Sequence, residues 1–135
     1  MNDLIDCGAD GFRFDTAKHI ALPDDPKDEA SPKNNFWQVF TGREAIGGVS
    51  LKKADDLFLY GEVLQGGASR EDEYGKYIAV TASNYGGILR SAIYARKLNA
   101  KGLSNWKNDA GADRLVTWIE SHDTYAQIQR DGLWS

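Results

Sequence analysis

A chain of 135 residues, 41% hydrophobic and 27% charged, has the balance of one ordinary globular core, which excludes a disordered chain and a membrane-embedded one. Its formal charge of −4 gives no electrostatic reason for a nucleic-acid or anionic-membrane partner and suits a neutral polar substrate. One cysteine, Cys7, excludes an internal disulfide; with no second Cys or Cys/His spacing nearby it speaks against a zinc cluster, and it is expected as a small buried apolar side chain.

In chain order, Met1 to Asp6 lacks the basic and apolar segments of a secretory signal, and no stretch is long enough to cross a bilayer. The chain reads as starting within a domain, so the location of the complete protein stays open, secretion included. Leu4-Ile5-Asp6-Cys7-Gly8 reads as the tail of an amphipathic segment stopped by glycine, and Gly11-Phe12-Arg13-Phe14-Asp15 as the short strand after it. Leu22 to Lys33 holds all three prolines with little apolar content, which predicts a long exposed loop. Asn34 or Asn35 is placed to cap a helix carrying Phe36, Val39 and Phe40, with Gly42 as its stop. Leu57 to Leu64 is almost continuously apolar, the pattern of a parallel strand covered on both faces, with Glu62 as one acid inside it. Tyr77 to Thr81 is a third strand candidate, Ile88 to Leu98 a helix, and Leu115 to Ile119 a fourth strand running into Glu120-Ser121-His122-Asp123. Strands alternating with helices imply βα units and a parallel sheet, an α/β fold, with no internal repeat beyond that alternation.

Asp15, Glu62 and the His122-Asp123 pair lie at or near strand ends. In parallel α/β folds the carboxyl ends of the strands share one face, so residues distant in sequence converge there. A carboxylate inside an apolar strand costs several kcal/mol to desolvate unless it is paired, hydrogen-bonded or opens onto a cleft. Any one of these acids has an ordinary reading as a salt-bridged or solvated strand-end residue; three together point to a site.

The motifs then become specific. Gly11-Phe12-Arg13-Phe14-Asp15-Thr16-Ala17-Lys18-His19 resembles the fourth-strand signature of the α-amylase family of glycoside hydrolases, Tyr60-Gly61-Glu62-Val63 its fifth, and Trp118-Ile119-Glu120-Ser121-His122-Asp123 its seventh, in family order. The resemblance implies an incomplete TIM (β/α)₈ barrel: residues 1–135 as a partial catalytic barrel domain running from strand four to strand seven, with the long loop at about 22–33.

It also implies roles. A retaining glycosidase needs a carboxylate nucleophile and a protonated carboxyl roughly 5–5.5 Å apart. By resemblance these are Asp15 and Glu62, with Asp123 holding sugar hydroxyls in the oxocarbenium-like transition state. Arg13, two residues before Asp15, shares its face of the strand and is placed to keep it ionised and oriented. Lys18 and His19 match a pair that binds glucan on the leaving-group side, and His122 a histidine that hydrogen-bonds sugar hydroxyls. Sugar rings stack on aromatic faces, so Tyr60, Trp37, Trp106 and Tyr125 are weighed as subsites against the more ordinary reading as core; only Tyr125 is nominated.

The implied activity is hydrolysis of α-1,4-glucosidic bonds in starch or maltodextrins, with transglycosylation and branch-point cleavage open to the same three acids. The alternative is a truncated, inactive segment that at most binds glucan or associates with another chain, and a third reading is an unrelated βα domain with strand-end acids. A complete barrel needs ~250 residues, so strands one to three and strand eight are expected to be missing, and the exposed edges are expected to make the segment self-associate. Calcium is implied for the complete enzyme, with the backbone carbonyl of His19 as this chain's contribution, one oxygen against calcium's six to eight.

Overall fold

The computed structural model describes residues 1–64, 69–97 and 107–124. Helix α1 (Asn2–Asp6) leads into strand β1 (Gly11–Phe14); α2 (Phe36–Phe40), β2 (Phe58–Gly61), α3 (Glu71–Gly75), β3 (Ala79–Thr81), α4 (Ser83–Tyr94) and β4 (Leu115–Val116) follow, with 3₁₀ turns at Ala17–His19, Ala54–Asp56 and Ala112–Arg114. The four strands form one parallel sheet in sequence order. Among the described residues no helix is long and apolar enough to cross a membrane.

Strand register sorts the side chains onto two faces. Phe12 pairs with Leu59 and Phe14 with Gly61, Gly61 pairs with Val80, and Val80 with Leu115. Partners in a parallel ladder share a face, and this one packs on the core of Ala17, Leu22, Trp37, Val63, Tyr74, Ile78, Val80 and Ala110. Phe14 meets Trp37 edge-on at 5.3 Å and Phe36 at 6.0 Å, while Trp37 meets Tyr74 at 5.7 Å. These contacts seat α2 against β1 and α3 against α2; each is worth about 0.5–1.5 kcal/mol beyond area burial. Gly61 is required where it stands, because a Cβ there would collide with Ile78 and Ala17, both fully packed.

The opposite face carries Arg13, Tyr60, Thr81 and Val116, which line a cleft. β2 is therefore covered by the core on one face only; Phe58, expected to be covered, is 58% exposed and tilts against Tyr60 at 5.6 Å.

Other expectations are also corrected. Cys7 is exposed. It caps α1, whose buried residue is Ile5, and two residues further turn the chain by about 200°, away from the core. Asn35 occupies the N-cap of α2 without a side-chain cap bond; its amide donates to Glu44 Oε1 at 2.8 Å instead. Gly42 follows α2 at φ 76°, its N–H donating to Val39 O. The loop predicted over residues 22–33 is exposed from Pro26 to Lys33, yet its start is built in: Leu22 is buried, and Arg70 binds Asp24 at 2.7 Å and Asp25 at 2.6 Å. β4 ends at Val116, short of Ile119, and α4 begins five residues before Ile88. Gly86 permits that early start, because a side chain there would meet the backbone oxygens of Trp118 and Ile119.

Candidate active site

Asp15 and Glu62 follow β1 and β2 directly, and the ladder continues beyond the strands as Glu62 N–H donates to Phe14 O at 2.9 Å. Both carboxylates therefore leave the sheet side by side. Arg13, on the cleft face of β1, reaches Asp15 Oδ1 at 2.5 Å and Glu62 Oε2 at 3.5 Å. Its guanidinium is held above its ordinary pKa, first by the hydrogen bond to Asp15 and then by the charges of Asp15 and Glu62, against the opposing effect of burial. Thr16 adopts φ 46°, and this left-handed turn directs its N–H to Glu62 Oε2 at 3.2 Å. The Glu62 side chain is 14% exposed and that of Asp15 68%, so the enclosed carboxyl is Glu62 and the open one is Asp15.

Lys18 and His19 lie on the 3₁₀ turn after Asp15. The hydroxyl of Tyr74 donates to Lys18 O at 3.0 Å and Ile20 O at 3.1 Å, bracketing His19, and Trp37 Nε1 donates to Ile20 O at 3.4 Å. Burial raises the Tyr74 pKa, reinforced by the nearby charge of Asp25, so the phenol stays a donor. Tyr74 carries no sequence signal of this part, since it acts through carbonyl groups that every residue has.

His122 and Asp123 stand on a helical turn beyond β4, not at the strand end expected for them, and face each other at 3.4 Å. The three acids nonetheless meet: Asp15, Glu62 and Asp123 line one cavity of about 260 Å³ together with Lys18, His19 and His122. A larger cleft of about 890 Å³ adjoins it along the open face of the sheet, lined by Arg13, Tyr60, Thr81 and Trp118, and shares Glu62, His122 and Asp123. Convergence on one cavity overturns the reading of three unconnected strand-end acids. Trp37 belongs to the core and Tyr60 to the larger cleft, while Tyr125 and Trp106 lie outside the described residues.

Among the described residues no group of three or more His, Cys, Asp or Glu could hold a metal ion, and the carbonyls of Lys18 and Ile20, on either side of His19, accept from the Tyr74 hydroxyl.

No family model matches the chain. It is 43% identical over 143 aligned residues to an α-amylase of Butyrivibrio fibrisolvens, covering 93% of this chain and 14% of that protein. To an α-amylase of Clostridium acetobutylicum it is 36% identical over 135 residues, 98% of this chain and 16% of the relative. A pancreatic α-amylase of Rattus norvegicus is 32% identical over 134 residues, 91% of this chain and 23% of the relative. The chain thus spans about a seventh to a quarter of the length of these relatives. With similarity along nearly its whole length and strand-end acids gathered on one cavity, the chain belongs to the α-amylase family of glycoside hydrolases and corresponds to a segment of those longer enzymes.

Proposed function

We propose that this chain supplies the three catalytic carboxylates of a retaining α-amylase-type hydrolase that cleaves α-1,4-glucosidic bonds in starch or maltodextrins. We further propose that its sheet is four consecutive strands of a (β/α)₈ barrel. The observation that carries this reading is the single cavity lined by Asp15, Glu62 and Asp123. The one-sided core supports the barrel assignment, since the face bearing Arg13, Tyr60 and Thr81 is the face a closed barrel turns inward.

In this mechanism Asp15, the more open acid, attacks the anomeric carbon while Glu62 delivers its proton to the leaving oxygen; a covalent glycosyl-enzyme forms and water, activated by Glu62, releases it. Arg13 orients Asp15 by direct contact. Asp123 and His122, lining the same cavity, hold sugar hydroxyls as positive charge develops, and Lys18 and His19 take the leaving-group side. A calcium site of the complete enzyme would draw all but the His19 carbonyl from outside the described residues.

For the segment by itself we propose the second reading, that it is inactive and self-associating. Phe58, Ile93, Tyr94 and Ile119 are more than half exposed, and β1 and β4 are the two edges of the sheet.

The test places residues 1–135 in the Butyrivibrio fibrisolvens α-amylase in exchange for its matching segment. Asp15→Asn is expected to abolish turnover of every substrate. Glu62→Gln is expected to abolish hydrolysis of maltooligosaccharides but to spare formation of the glycosyl-enzyme from an aryl glycoside whose leaving group needs no proton. Equal losses in both variants on both substrates would refute the assignment of roles.

A further inference from the structure

We infer that Thr81 is a positioning residue for the proton donor Glu62, an inference that rests on the glycosidase reading above. Backbone pairing between β2 and β3 stops at Gly61 and Val80. One step further, where Glu62 and Thr81 would be the next partners, the Thr81 hydroxyl takes over the ladder: it accepts from Val63 N–H at 3.0 Å and donates to Val63 O at 3.2 Å. Val63 and Thr81 are buried, so these bonds are shielded from competing water.

Glu62 is thereby held from both flanks. Its own N–H is bonded to Phe14 O of β1, and the next residue is clamped by β3 through a side chain. The purpose fits the position. On the β3 side the backbone pairing that would fix this residue has ended, and the proton donor of a glycosidase must be closely placed against the leaving oxygen. Misplacement of a reacting group by about 1 Å can cost ~10²-fold in rate. Valine at 81 would keep the shape and remove both bonds; serine would keep the hydroxyl.

Two experiments separate this inference from the glycosidase reading on which it rests. In the amylase carrying residues 1–135, Thr81→Val is expected to lower kcat on maltooligosaccharides by on the order of 10²-fold. The same variant is expected to leave formation of the glycosyl-enzyme from an activated aryl glycoside, read as the pre-steady-state burst of released aglycone, unchanged, because that leaving group needs no proton, and Thr81→Ser is expected to restore most of the loss. A general loss of folding would strike both substrates alike, so equal losses on the two, or no loss on either, overturn the inference.

In the 135-residue chain itself, amide hydrogen exchange at Val63 is expected to accelerate in Thr81→Val relative to Gly61 and to remain slow in Thr81→Ser. An unchanged Val63 amide in Thr81→Val overturns the clamp whatever the activity. An intact clamp with no cleavage by the parent hybrid would instead count against the glycosidase reading.

Discussion

The two walls of the acid-lined cavity are built by different means. Asp15 and Glu62 emerge from neighbouring strands paired over four positions, and their carboxylates are tied by one guanidinium and a backbone N–H. His122 and Asp123 stand six and seven residues beyond Val116, on a connection leaving an edge strand that pairs over only two positions. Their side chains are 73% and 70% exposed, and the ties nearby are the 3.4 Å contact between them and the link from Ser121 to Thr124. Asp15 and Glu62 take their position from the sheet; Asp123 takes its position from a helical turn beyond it. In the proposed mechanism the chemistry that tolerates the least displacement is assigned to the side where the carboxylates are tied to the sheet, and the grip on sugar hydroxyls to the more exposed side.

The largest effect expected from breaking this contrast is at Arg13. Arg13→Ala removes the cation that both carboxylates of the rigid wall share, and kcat of the amylase carrying this segment is expected to fall by on the order of 10²–10³, the cost of deleting one preorganised electrostatic partner. Arg13→Lys should recover part of that, since an ammonium supplies the charge but not the fork that spans two acids. A loss confined to KM would show that Arg13 serves binding and not the reacting pair.

The smallest expected effect lies outside both walls, at the pair of loops joined by Arg70. The carboxyl of Asp24 is held below its ordinary value, first by its hydrogen bond to Arg70. A folded-state pKa depressed in this way gives stability that is present above the unfolded value and is lost as pH falls through the folded one. Arg70→Ala should therefore lower the melting temperature of the 135-residue chain slightly at neutral pH, with the gap to the parent closing in acid. The side chain of Asp24 is 68% exposed, so added salt should shrink the gap as well. Melting curves that stay equally separated from neutral to acid pH would contradict this.

The legibility of the sequence follows the same division. The strand-end positions of Asp15 and Glu62 could be read because Gly11 to His19 and Tyr60 to Val63 are contiguous motifs that run directly off β1 and β2. β4 was overestimated because Leu115 to Ile119 is apolar throughout, yet pairing ends at Val116 and leaves Trp118 to line the cleft. The single-turn helix α3 escaped notice because Glu71-Asp72-Glu73-Tyr74-Gly75 is too short to show a period, although its acidic first turn suits a helix N-terminus. Cys7 was misplaced because composition says how often a cysteine is buried and not which way a five-residue helix turns. Tyr74 and Thr81 act on backbone groups, so no pairing of side-chain chemistry in the sequence announces them.

The most direct test of the central claim is covalent trapping of the glycosyl-enzyme. With residues 1–135 in place of the matching segment of the Butyrivibrio fibrisolvens α-amylase, a fluorinated α-glucosyl fluoride should form the intermediate and slow its hydrolysis, and mass spectrometry of the digested protein should find the sugar ester on Asp15. The account predicts label on Asp15 and none in the Asp15→Asn variant. Label on Glu62 or Asp123, or turnover of starch that survives Asp15→Asn, would contradict it.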